Sequence, residues 1–495
     1  MSLKRGLIAA GASIAGLLLP VAALAVEHAE EVGAVVEEAS HATEAGHGAR
    51  AITLIFFLFV MLMFARIGAL MERIGQPAVL GELLMGVVLG ALAFLPGFGF
   101  IDSLKGEEFI ALIAEIGVII LLFRTGLESN LREMKSVGVK AFLVATVGVI
   151  LPFVGGYFAA KLLIPGLEGN AYLFIGATLT ATSVGITARV FKDLNVLSSK
   201  EAKIVLGAAV IDDIMGLLIL AVVAGIVSGG GVSLGGIAWI SAKALLFLVI
   251  SVALGQLFAK RIGFLFSKIH SGVGMKMALA LLFCGVYAYG AQVLAGLAPI
   301  VGAFAAGLVL DPLHFNDFVA PTITKKMRGW ADRLKGSDST ANAVGTELMH
   351  EAEHEEHMHV ENLVEQIGWF FMPIFFVYTG LQVNLETFAN PKVLIIGLAI
   401  TVVAFVGKIA AGWASGKGVS HSIIGFGMIP RGEVGLIFAN VGKQLGVVTD
   451  EVFSMIVIMV ILSTLLTPPL LGVLIKRRMA GAGGSTPEPH PAETV

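Results

Sequence analysis

More than a dozen apolar stretches of about twenty residues follow one another along this 495-residue chain. A bilayer core roughly 30 Å thick needs about that many helical residues to cross it, whereas no soluble core needs them in series. A membrane β-barrel is excluded by the same runs, because barrel strands alternate apolar and polar side chains over about ten residues. Composition agrees: 57% of residues are hydrophobic and 14% charged, against roughly 25% charged in a soluble domain, and the mean hydropathy is +0.90. The expected fold is therefore an all-α polytopic membrane protein. The 61 glycines and 16 prolines suit packed and interrupted membrane helices. The single cysteine, Cys284, excludes an intramolecular disulfide and a cysteine-cluster metal site.

Residues 1–25 read as a signal peptide, with Lys4 and Arg5 before an apolar stretch and Ala23-Leu24-Ala25 as a small-x-small cleavage site. Residues 26–50 read as a polar external segment. Thirteen transmembrane spans are then expected, at 51–71, 77–96, 108–127, 138–161, 171–191, 203–227, 234–258, 273–295, 297–311, 362–382, 392–415, 421–445 and 451–475. With the N-terminus outside, Lys and Arg crowd the loops assigned to the cytoplasm, among them Arg132, Lys135, Lys140, Lys260, Arg261 and the Lys476-Arg477-Arg478 cluster. The external segments hold Arg50, Lys105, Lys161, Lys392 and Lys443. This bias puts the C-terminus in the cytoplasm, and the expected location is a bacterial inner membrane. Residues 311–361, acidic and rich in histidine, read as a cytoplasmic loop dividing a first membrane part (51–310) from a second (362–478). The tail 479–495 is short, and no nucleotide-binding domain is expected behind it.

Loop charges apart, three basic residues remain deep in spans: Lys243, Lys408 and Arg431. The comparable acids are Glu82, Glu115, Asp212, Asp213 and Glu433. Each would cost at least about 2.5 to 3.5 kcal/mol facing lipid at a helix centre, so such residues face partners, cavities or ion paths. Neighbours on a helix point about 100° apart, so Asp212 and Asp213 serve two different partners. Two adjacent buried carboxylates repel, which suits a site where protons and cations compete. Lys408 needs a carboxylate, and the aspartate pair supplies one.

The fifth span gathers Thr178, Thr180, Thr182, Ser183, Gly185 and Thr187; the twelfth holds Gly425, Gly427, Pro430, Arg431, Gly432, Glu433 and Gly435. Proline and clustered glycine break helices, and broken backbone at membrane depth is tolerated only where protein or a cavity covers it. Such interruptions point to a transporter's substrate site. The two spans are seven apart and so enter from opposite sides, as do four and eleven, and six and thirteen. The pattern is an inverted repeat, one to six against eight to thirteen, with spans five and twelve as crossed interrupted helices. Their half-helix ends meet near the midplane, where Arg431 and Glu433 could neutralise the dipoles. In the loop, His350, His354 and His357 have spacings compatible with a weak divalent-metal site, though a solvated acidic helix is the favoured reading.

These residues resemble the cation:proton antiporter family, in the branch with paired aspartates. The resemblance rests on Thr180-Ala181-Thr182-Ser183-Val184-Gly185-Ile186-Thr187, Asp212-Asp213, Lys408 and Pro430-Arg431-Gly432-Glu433-Val434-Gly435-Leu436. It implies a homodimer in which a core of spans four to six and eleven to thirteen slides against a static scaffold. It also implies Asp213 as the main sodium ligand, Asp212 as the partner of Lys408, and Thr180, Thr182 and Ser183 as oxygens of the cation shell. The expected function is electrogenic Na+/H+ exchange by alternating access, not enzymatic catalysis. No cofactor is expected beyond the transported Na+ and H+, with K+ or Li+ as other possible cations, and the partners are these ions and the lipid bilayer, with no nucleic acid. Potassium-efflux relatives usually carry a neutral residue in place of the first aspartate, so the pair points to sodium; a K+/H+ antiporter and, more remotely, a Na+-coupled solute symporter are the alternatives.

Overall fold

The computed structural model describes residues 44–96, 98–128, 138–197, 199–228, 234–310, 318, 322–334, 339–388 and 390–481. The expected signal peptide, most of the segment that follows it, the loop 129–137 and the tail from 482 lie outside these residues. Every regular element among the described residues is helical. Apart from two short helices (Phe100–Leu104 and Leu385–Phe388) and two 3-10 turns (Ala69–Ile74 and Gly412–Ser415), they are in chain order α1 (Glu44–Gly68), α2 (Ala78–Leu92), α3 (Glu108–Glu128), α4 (Gly138–Leu163), α5 (Gly169–Thr178), α6 (Val184–Asp193), α7 (Lys200–Ser228) and α8 (Leu234–Ile269). Then come α9 (Val273–Ala295), α10 (Pro299–Val309), α11 (Thr322–Leu334), α12 (Ser339–Leu381), α13 (Pro391–Ala411), α14 (His421–Gly427), α15 (Glu433–Gln444) and α16 (Asp450–Gly481). Among the described residues, 9 helices are long and apolar enough to cross a membrane; α2 and α10 are apolar but shorter.

Local chemistry sets several of the ends. α13 starts with Pro391 in its first turn, and the Asn390 side chain accepts from Lys392 N at 3.0 Å. α9 stops at Gly296, whose φ of 63° is left-handed and open to glycine without strain.

The expected spans are refined in two places, the first being the pair expected to be interrupted. The span expected at 171–191 is two helices, α5 and α6, and that at 421–445 is α14 and α15, with residues 179–183 and 428–432 non-helical between them. The loop expected at 311–361 is largely helical where described: α11 packs against the first half of α12, and α12 runs without a break from Ser339 through the expected boundary at 361 to Leu381. Hydropathy ended that helix at its polar half, but a run of Glu, Ala, His and Met has no residue that breaks one.

Packing divides the helices into two groups. In one, α3 lies between α10 and α12, with α1 and α2 against α12 and with α8 and α9 against α10. In the other, α4 packs on α5, α7 and α13, while α16 lies against α13, α14 and α15. Glycines allow close approach inside the first group: a Cβ on Gly126 would meet Phe304 O, and one on Gly307 would meet Phe123 O.

Candidate functional site

The two helix interruptions touch. Ser183 N donates to Pro430 O at 2.8 Å, Thr182 Oγ1 to Met428 O at 3.1 Å and Thr187 Oγ1 to Gly427 O at 2.6 Å. Each break thus satisfies polar backbone of the other, as exposed peptide groups at membrane depth require.

Arg431 closes one side of this junction. Its side chain is 0% exposed. Nη2 donates to Leu179 O at 2.6 Å, just beyond α5, and Nη1 donates to Met428 O at 3.3 Å and Ile429 O at 3.2 Å, just beyond α14. One guanidinium therefore covers the negative C-terminal ends of two half-helices. Its backbone is held by α16: Arg431 N donates to Ser463 Oγ at 3.2 Å, and Thr464 Oγ1 donates to Arg431 O at 2.5 Å. Glu433 occupies the opposite, positive ends. It is the first residue of α15, and its Oε2 accepts from Ser183 Oγ at 3.2 Å, Ser183 being the residue before α6.

Beside the junction, α7 carries Asp212 and Asp213 in the middle of its length. Lys408 of α13 reaches across, with Nζ 2.9 Å from Asp212 Oδ1 and both side chains 0% exposed. Asp212 Oδ2 and Asp213 Oδ1 are buried without a hydrogen-bond partner. Two orphaned carboxylate oxygens are costly unless something binds them. Asp213 lines a cavity of about 240 Å³ together with Ser183, Gly432, Glu433, Thr464, Arg124 and Glu128.

The structure thus brings Asp212 to Lys408, and Asp213, Ser183 and Glu433 to one cavity. Thr180 and Thr182 are buried beside the junction but do not line that cavity; Thr180 Oγ1 donates to Ala177 O at 2.7 Å. The acceptor lone pairs of both hydroxyls remain. Of the other deep charges, Glu82 is buried on α2 and Lys243 is half-buried on α8, neither of them lining that cavity, while Glu115 lines a second cavity of about 590 Å³. His350 is exposed on α12. The side chains of His354 and His357 lie outside the described ones, and no group of three metal-ligating side chains occurs among the described residues. Sequence reasoning missed Ser463, Thr464, Glu128 and Arg124. It also did not single out Lys276, whose side chain is buried, with Nζ 3.1 Å from His359 Nδ1.

The family model described as "Sodium/hydrogen exchanger, transmembrane" matches residues 44–329 and 342–477. The chain is 34% identical to the high-affinity Na(+)/H(+) antiporter NhaS3 of Synechocystis sp., over 86% of this chain and 90% of that one. It is 32% identical to the Na(+)/H(+)-K(+) antiporter GerN of Bacillus cereus, over 84% and 95% of the two chains. A solved structure of the sodium proton antiporter MjNhaP1 from Methanocaldococcus jannaschii at pH 8 shares the fold, with a TM-score of 0.59 and 16% identity, covering 87% of this chain and 98% of that one.

Proposed function

The chain belongs to the sodium/hydrogen exchanger family of membrane proteins, and from that premise we propose that it exchanges Na+ for H+ across a bacterial inner membrane. In this reading it works as a homodimer by alternating access, with the N-terminus outside, the C-terminus in the cytoplasm, thirteen spans, and spans five and twelve crossing at their breaks. The observation that carries it is the unequal state of the aspartates: each keeps one unpartnered oxygen, but Asp212 is bound through the other to Lys408, while Asp213 lines the cavity.

The chemistry follows from that inequality. Deprotonated Asp213 takes a hard monovalent cation, with hydroxyl and backbone oxygens around the break, including Ser183, Thr180 and Thr182, completing its shell. Protonated Asp213 is neutral and needs no cation. A bare carboxylate is strongly disfavoured in the bilayer, so the core crosses cheaply only when filled or neutralised. Competition of Na+ and H+ for one carboxylate is then the coupling. Release of Lys408 from Asp212 gives a second titrating group, which makes the exchange electrogenic, two protons against one sodium.

Potassium is the second reading, favoured by the likeness to GerN, whose name includes K(+). Reconstitution into liposomes, with proton flux followed across Na+, K+ and Li+ and with and without a membrane potential, decides between the ions. The same assay tests the site. Asp213→Asn is expected to abolish cation-driven proton movement, and near wild-type flux in that variant would sink the assignment.

A further inference from the structure

Arg124 and Glu128 lie one turn apart at the end of α3, with Arg124 Nε 2.7 Å from Glu128 Oε1. Arg124 Nη2 is also 3.2 Å from Glu365 Oε1 on α12. The exchange cycle described above uses none of these three residues. Yet Arg124 and Glu128 line the same cavity as Asp213, Ser183 and Glu433. One cavity is thus bounded by three carboxylates and one guanidinium, and at its wall Asp213 Oδ1 is buried and unpartnered. A cation entering by this cavity meets Glu128 and Arg124 as well as Asp213.

We propose that Arg124 and Glu128 set the affinity with which this cavity admits a monovalent cation: Glu128 holds the partly hydrated ion on its way to Asp213, and the Arg124 guanidinium, a tethered cation, competes with it for Glu128 and Glu365. The proposal rests on the antiporter reading and assigns that site its entry step. A structural explanation exists for the pair, since α3 would gain from an i,i+4 ion pair at its end. Partly exposed pairs of that kind contribute little to stability. A charge on the wall of a low-dielectric cleft, by contrast, changes the local cation concentration strongly.

The test uses the full chain in vesicles, with initial exchange rates measured against Na+ added on the side to which this cavity opens, the face assigned to the cytoplasm. Glu128→Gln is expected to raise the half-saturating Na+ concentration by roughly three- to tenfold, as removal of one nearby charge at a partly wet site should. The maximal rate changes far less. Arg124→Gln moves the half-saturating concentration the other way, and the double variant returns towards wild type. All three shifts shrink when choline chloride raises the ionic strength. Shifts in the same direction, shifts indifferent to salt, or none would overturn the proposal. If Glu128→Gln fails to accumulate, Arg124→Gln alone still gives the sign. A wild-type protein that exchanges no cation would remove the antiporter reading itself, whereas exchange with an unmoved half-saturation would remove only this entry step.

Discussion

The Lys408–Asp212 pair is fully enclosed and rests on a single 2.9 Å contact, so among the ion pairs of the described residues it is the most sensitive to losing one partner. Removing one member of a buried pair costs about 3–5 kcal/mol, because an uncompensated charge stays behind. Lys408→Ala is therefore expected to lower the unfolding temperature of the detergent-solubilised protein, and to weaken the voltage dependence of exchange while leaving some exchange. The double change Lys408→Met with Asp212→Asn removes both charges and should regain most of the stability but not the voltage dependence; unchanged electrogenicity in either would contradict the pairing. Arg431 makes a different demand. It reaches three carbonyls on two sides of the junction with a planar fork, which an ammonium cannot match. Arg431→Lys should thus cut exchange at least about tenfold in vesicles, on the scale of one or more lost charge-assisted bonds. Both residues are legible in the sequence, because a charge in an apolar run announces its own cost. Ser463 and Thr464, which hold the backbone of Arg431, are not, since a hydroxyl in a membrane helix satisfies itself on its own backbone and carries no such signal.

The two breaks are the elements on which the site depends, and their sequence signature is unequal. Pro430 with Gly427 and Gly432 marks the second break, because proline removes a donor and glycine relaxes the backbone. The first break contains no proline, and its mark is the density of threonine and serine, whose hydroxyls cap half-helix ends and bond across to the other break. Element lengths were less legible. α12 extends well beyond a membrane span, and hydropathy reads only its apolar half. Close packing in the first group of helices was also hidden, since a glycine in a long apolar run does not say which backbone it meets. Gly307 on α10 faces Phe123 O and Leu127 N on α3, and Gly126 faces Phe304 O on the return side. Gly307→Leu must push the two backbones apart, at a cost of about 1–3 kcal/mol or more. The measurable outcome is a lower yield of folded protein on size-exclusion chromatography and a lower unfolding temperature; a variant as stable as wild type would show that α3 and α10 can separate freely.

At the scale of the molecule, the two cavities lie at opposite ends of α3, one lined by Ala111 and Glu115, the other by Arg124 and Glu128. Both are walled by helices of both packing groups, and Asp213 lines only the second. If Asp213 is to face the first cavity, the group carrying α7 and α15 must shift against the group carrying α3 and α12, and the bonds between the groups must break. Around the first cavity these include Asn440 Nδ2 to Thr379 Oγ1 at 3.0 Å and Lys443 Nζ to Gln382 O at 3.3 Å. On the far side, Arg189 Nη1 meets Glu72 Oε1 at 3.2 Å between exposed side chains. The neutral and the exposed bonds are worth about 1 kcal/mol each and the lysine contact about 1.5–3 kcal/mol, small enough to be exchanged in each cycle. A covalent bond in the same place is not. Thr379→Cys with Asn440→Cys, in a chain whose own Cys284 is buried, should therefore lose exchange on oxidation and regain it on reduction, with each single-cysteine variant unaffected by oxidant. Full exchange in the oxidised double variant, with the crosslink verified by mass spectrometry, would mean that these two helices do not move apart during transport.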